Sequence, residues 1–189
     1  DLPSSFDLDW QTVDATAVGG SDFTAAAGTL TFAPGQTSRT ISVTVTGDRR
    51  IETNETFGVR ASNAVLSSTG TVTITNDEPT VTVVPTSVTE GNSGSTAVTV
   101  HVTLSAALAV DAPLTWATSG GTATVGTDYT AGSGALTFTA GQTDRTFSVS
   151  ALGDLVHEAN QTIGIVIRNT DASTVATGAV TIKIGRAHV

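Results

Sequence analysis

The sequence predicts an all-β protein built as two antiparallel β-sandwiches in tandem, and three observations carry that prediction. Threonine supplies 37 of the 189 residues while lysine appears once, at Lys183. Threonine's branched side chain favours strands and is poor in helix interiors. Apolar and polar residues alternate in segment after segment, the period-two signature of half-buried strands. The chain also repeats itself at a spacing of 106 residues, the size of one sandwich domain rather than of a short solenoid unit.

The repeat is read directly. Residues 10–23, WQTVDATAVGGSDF, align with residues 116–129, WATSGGTATVGTDY. At the same offset Leu30-Thr31-Phe32 matches Leu136-Thr137-Phe138, and Gly35-Gln36-Thr37 matches Gly141-Gln142-Thr143. Gly47-Asp48 matches Gly153-Asp154, Glu52 matches Glu158, and Asn54 and Thr56 match Asn160 and Thr162. The offset becomes 108 at Thr69-Gly70 and Thr177-Gly178.

In the second copy seven strands are expected, an immunoglobulin-like number. They are A near 81–89, B 96–104, C 113–119, D 135–138, E 145–151, F 161–169 and G 176–183. Val98, Val100, Val102 and Leu104 point to one side of strand B, and Thr99, His101 and Thr103 to the other. Phe147, Val149 and Ala151 form the inward row of E, and Ile163, Ile165 and Ile167 that of F. The first copy shows the same E pattern at Ile41, Val43 and Val45. Turn signals at Pro34-Gly35, Gly47-Asp48 and Gly120-Gly121 separate the runs. Trp10 and Trp116 are expected to be core anchors on strand C.

The expected division is 1–78 for a unit that lacks strands A and B, 79–183 for a nearly complete unit, and 184–189 for a tail. Matching material in the first unit begins near Phe6, so the chain reads as an internal piece of a longer protein. The tail Ile-Gly-Arg-Ala-His-Val resembles a translated frame of a sequencing-library adapter and is expected to be an artefact.

Composition narrows the function. Seventeen acidic against eight basic residues give a net charge of −9. Nucleic-acid binding needs a basic stripe and is not expected. No apolar run reaches the roughly 18 residues of a membrane span, so direct membrane insertion is not expected. Cysteine is absent, which removes disulfides and thiolate metal sites. No G-x-S-x-G elbow, H-E-x-x-H pair or phosphate-cradling loop appears, and the chain is read as non-enzymatic.

The acids are distributed unevenly. In such a sandwich the A–B, C–D and E–F connections and the end of G share one pole. Asp22, Asp48, Glu52, Glu55, Asp77 and Glu78 of the first unit map there. So do Glu90, Asp128, Asp154 and Glu158 of the second. The opposite pole receives few, such as Asp111, Asp144 and Asp171. Carboxylates crowded together repel unless a cation sits among them. Calcium suits such a place, because it takes six to eight oxygens in irregular geometry supplied by loops.

The pattern Glu90-Gly91, Gly121-Thr122-Ala123-x-x-Gly126-x-Asp128-Tyr129, Leu136-Thr137-Phe138-x-x-Gly141-Gln142-Thr143 and Asp154-x-x-x-Glu158 resembles the Calx-beta family. The first unit carries the same marks from Thr16-Ala17 through Glu52-x-x-Glu55, followed by Asn76-Asp77-Glu78. The resemblance implies calcium-binding sandwiches with these ten acids as ligands. Two departures stand out: Gln161 occupies the place of Glu55, and the second unit lacks an acidic segment after strand G. The function expected is a calcium-binding structural or adhesion repeat of a larger extracellular or cell-surface protein of bacterial type. Its partners would be neighbouring repeats of the same chain and a protein or matrix ligand. The alternatives are a metal-independent stalk or protein-interaction sandwich, and an accessory module of a secreted enzyme.

Overall fold

A computed structural model describes residues 4–184, and the residues of the expected tail after Ile184 lie outside that range. The described chain is all-β, with thirteen strands. It divides into two compact units. One runs to Arg49 and resumes over Thr53–Asp77; the other holds Arg50–Glu52 together with the chain from Glu78 onward.

The first unit contains β1 (Phe6–Val13), β2 (Ala27–Phe32), β3 (Glu55–Ser62) and β4 (Ser67–Ile74). They form one antiparallel sheet in the order β2-β1-β3-β4. Its buried core is small: Ala17, Phe23 and Phe57, with Val43, Val59 and Ile74 packed against them. The Phe23 and Phe57 rings stack with centroids 4.2 Å apart.

The strand expected over Ile41, Val43 and Val45 does not form. That segment makes an isolated bridge from Val45 to Phe23 and no ladder. A strand needs a partner for its backbone groups. In the second unit the equivalent strand pairs along its whole length with strand B, and the first unit holds no equivalent of B among the described residues. Alternation alone reports which side chains point together, not whether a neighbour exists.

The second unit has β5 (Val81–Val83), β6 (Thr86–Thr89), β7 (Ser95–Leu104), β8 (Ala112–Gly121), β9 (Tyr129–Thr130), β10 (Ser133–Phe138), β11 (Asp144–Leu152), β12 (Gln161–Arg168) and β13 (Thr174–Lys183). Two sheets face each other, ordered β10-β8-β12-β13-β6 and β5-β7-β11-β9. The expected strand A is broken in two. Pro85, between β5 and β6, has no N–H to give a ladder, and the chain changes sheets there. β5 pairs antiparallel with β7, whereas β6 pairs with β13 in parallel. That parallel pair departs from the wholly antiparallel expectation.

The rows read from the sequence meet in this core. Val100 and Val102 of β7, Phe138 of β10, Ile163, Ile165 and Ile167 of β12, and Val180 and Ile182 of β13 are fully or almost fully buried. Trp116 packs against them and stacks on Phe147, centroids 3.9 Å apart. Their burial holds the two sheets together face to face, which fixes the positions of the loops at each end.

Candidate metal centre

The loops at one end of the second unit are tied by backbone hydrogen bonds. Glu90 N donates to Lys183 O at 3.0 Å, Gly153 N to Gly94 O at 3.0 Å, and Leu152 N to Asp128 O at 2.8 Å. These bonds join the β6–β7 loop, the end of β13, the start of the β11–β12 loop and the loop that closes at Asp128. Gly153 lies directly against the β6–β7 loop: a Cβ there would lie 2.6 Å from the Gly91 carbonyl carbon and 3.0 Å from the Gly91 nitrogen. Only glycine lets those two loops meet.

Four carboxylates sit on these loops, and they sense one another. Burial lifts the Glu90 carboxyl above its ordinary value, and the charges of Asp154, Glu158 and Asp128 lift it further. Each of the other three has a local anchor. Asp128 is 5 % exposed, and its Oδ2 accepts from Thr124 N at 2.6 Å. Asp154 Oδ1 accepts from Val156 N at 2.7 Å. Glu158 Oε2 accepts from Gln161 Nε2. A carboxylate has two oxygens, so an anchor on one leaves the other for a cation.

Gln161 carries a signal that counting carboxylates misses. With its amide nitrogen held by Glu158, its Oε1 is buried and has no hydrogen-bond partner. A buried oxygen without a partner is costly, and amide oxygens are ordinary calcium ligands. Replacement of a Glu by Gln here removes charge while keeping an oxygen donor.

In the first unit Asp22 has the same anchor as Asp128, its Oδ2 accepting from Val18 N at 2.7 Å. Both therefore close a turn before a buried aromatic, Phe23 or Tyr129, whether or not a metal is present. Asp22, Glu52 and Glu55 are all half-buried, and each places one carboxylate oxygen within 4.8 Å of the other two. Asp48 and Asp77 are exposed, and Glu78 is half-buried. Among the described residues Asp22, Glu52 and Glu55 form the one group that tight; Glu90, Asp128, Asp154 and Glu158 are gathered more loosely.

The repeat also shows which matched residues are structural. Asn54 Oδ1 accepts from Asn76 N at 3.0 Å, and Asn160 Oδ1 accepts from Ile184 N at 3.3 Å. Thr16 Oγ1 accepts from Thr56 N, and Thr122 Oγ1 from Thr162 N. These pairs hold the loop entering β3 or β12 against its neighbours. The acids assigned to the other pole have other partners: Asp111 Oδ1 accepts from Ala140 N, Asp144 pairs with His101, and Asp171 pairs with Arg50.

The donor set fits a hard divalent cation. It is all oxygen, it comes from several loops, and burial together with the charges of its other three acids disfavours the ionised form of Glu90, a repulsion that a cation would relieve. A tandem β-sandwich chain with oxygen-donor loops at the sandwich end is the class that fold and site define. The chain belongs to the Calx-beta domain family, whose model matches residues 1–86 and 74–187.

Several known proteins are similar to parts of the chain. Sodium/calcium exchanger 1 of dog is 40% identical over 68 residues, covering 36% of this chain and 7% of the exchanger. The mouse exchanger is 38% identical over 68 residues, again 36% of this chain and 7% of its own length. This chain thus spans a small part of the curated relatives it matches. Among solved structures, the apo-form Calx CBD1 domain aligns with 57% of this chain and 97% of its own, at 22% identity and TM-score 0.49. CBD12 from CALX1.2 aligns with 96% and 88%, at 19% identity and TM-score 0.41.

Proposed function

We propose that both units are calcium-binding modules and that the chain is a non-enzymatic repeat segment of a larger extracellular or cell-surface protein. Glu90, Asp128, Asp154 and Glu158 hold the ion in the second unit, with the Gln161 amide oxygen added. Asp22, Asp48, Glu52, Glu55, Asp77 and Glu78, the acids of the first sequence repeat, form the other set. The observation that carries the reading is the gathering of the loops that bear Glu90, Asp128, Asp154 and Glu158 by the bonds from Glu90 N to Lys183 O, Gly153 N to Gly94 O and Leu152 N to Asp128 O, with the Glu90 carboxyl raised by burial and by the other three acids. Four loop acids drawn together against their own repulsion are explained by an ion they share.

Calcium would supply charge neutralisation and a bridge between loops. The protein's part is to aim the oxygens: the backbone bonds at Gly153 and Leu152 bring the loops together, and the anchors at Thr124 and Val156 orient two carboxylates. Such a module stiffens when loaded, which suits a spacer or adhesion array. Thermal melting tests the reading. Calcium should raise the midpoint relative to chelator, because a ligand that binds only the folded state stabilises it. Identical curves in calcium and chelator would leave the metal-independent stalk, a reading that the metal-free turn closure by Asp22 and Asp128 favours.

A further inference from the structure

The second unit shows how one of its turns receives a loop segment. Asn169 Oδ1 accepts from Asp171 N and Ser173 N, closing the turn between β12 and β13. Onto this turn packs the short segment Arg50–Glu52, which clusters with that unit. Arg50 Nη2 lies 2.6 Å from Asp171 Oδ2, Asn169 Nδ2 donates to Ile51 O at 3.3 Å, and Ile51 is buried. The Asp171 carboxyl is held below its usual range by Ser173 and by Arg50, against the opposing effect of burial.

The repeat supplies a second version of each part. At the offset of 106, Asn63 corresponds to Asn169 and Val65 to Asp171. Asn63 Oδ1 accepts from Val65 N at 2.9 Å and Leu66 N at 2.8 Å, so an asparagine closes this turn too, in a loop one residue shorter. Arg49-Arg50 corresponds to Leu155-Val156. Both charged members of the contact are thus apolar in their second version, and both are displayed. Val65 is 87% exposed and Leu66 55%; Leu155 is 80% exposed and Val156 58%.

Scattered exposed apolar residues mean little. Here two apolar tips stand at the two positions that meet elsewhere in the same chain, and they have changed character together. We infer that the β3–β4 turn, at Val65 and Leu66, docks the Leu155-Val156 loop of a second copy of this chain. An apolar contact replaces the Arg50–Asp171 ion pair. His157 stands where Ile51 is, so the docking rests on Leu155 and Val156. Because donor and acceptor patches differ, the contact is head-to-tail and propagates instead of closing a two-fold dimer. Two side chains per tip fall well short of the roughly 1,000 Å² of a stable interface, so association is weak and grows with concentration.

The absence of cysteine makes a clean test. Val65→Cys and Val156→Cys variants are mixed in equal amounts in calcium buffer and oxidised mildly. The mixed disulfide should form well above both same-site disulfides and above the collision level set by pairing Val65→Cys with Thr99→Cys on the exposed face of β7. A mixed yield equal to that level overturns the inference. Sedimentation supplies a second readout. The average mass of the unmodified chain should rise with concentration, fall back to monomer in Val65→Asp, and rise again when Val65→Asp and Val156→Arg are combined. Monomer at every concentration, or no recovery in the charge-paired double variant, contradicts the inference.

Discussion

Replacing Gly153 by alanine places a Cβ 2.6 Å from the carbonyl carbon of Gly91, with the carbonyl oxygen nearer still. That is about 0.8 Å short of the 3.4 Å at which ordinary contact begins. The obstacle is backbone, so no side-chain rotation relieves it. The β6–β7 loop and the β11–β12 loop must part, and Glu90 rides on one while Asp154 and Glu158 ride on the other. Overpacking of this kind costs about 1–3 kcal/mol of stability. A ligand set parted by most of an ångström should lose at least about tenfold in calcium affinity, roughly 1.4 kcal/mol. The chain carries its own control, because Gly47 holds the equivalent place in the first unit and a Cβ there meets nothing within 4 Å. Gly47→Ala should therefore be close to silent. Chemical denaturation and calcium titration of both variants read the two effects. Equal behaviour of the two, or wild-type calcium affinity in Gly153→Ala, would refute the claim that this backbone approach sets the second centre.

Further outcomes are expected elsewhere. Glu90→Gln should stabilise the metal-free protein and weaken calcium binding at once; the gain is a few tenths to about 1 kcal/mol, because a partly exposed charge is screened. The sign follows from its raised carboxyl: the folded state holds that proton more tightly, so metal-free stability falls as pH climbs from the ordinary value of 4.5 toward the raised one. Denaturation of the metal-free chain across that window should show a flatter profile in Glu90→Gln, and an unchanged slope would show that Glu90 is not the responsible group. Leu136→Ala, at a side chain 2% exposed, should cost about 2–5 kcal/mol. Leu30→Ala at the half-buried repeat position should cost clearly less, and equal losses would contradict the difference in packing. Asn160→Ala should free the Ile184 amide and speed its hydrogen exchange, whereas unchanged exchange would show that the bond at 3.3 Å holds nothing.

The strands of the second unit were legible because period two and a built-in repeat are written in side-chain chemistry. Val98, Val100 and Val102, or Ile163, Ile165 and Ile167, have only one way to hide from water. What escaped was whatever depends on a neighbour. Ile41, Val43 and Val45 have a strand's pattern and lack a strand's partner. The sheet change at Pro85 needs knowledge of which edge lies closer, and no alternation encodes it. The candidate site divides in the same way. Topology placed Glu90, Asp128, Asp154 and Glu158 at one end, since loops at alternate strand ends must share a pole. It did not show that Asp128 closes its own turn through Thr124, nor that the Gln161 oxygen lies buried beside Glu158. Those depend on which way each side chain turns over a span of a few residues.

Calorimetric titration of the whole chain with calcium, alongside Asp154→Asn, tests the central account most directly. The account predicts saturable heat for the unaltered chain and a lost or much weakened component in the variant, with the β-sheet circular dichroism of the two unchanged. Saturable binding that is the same in both would move the ion away from the acids of the second unit, and no heat at all in either would contradict a calcium module.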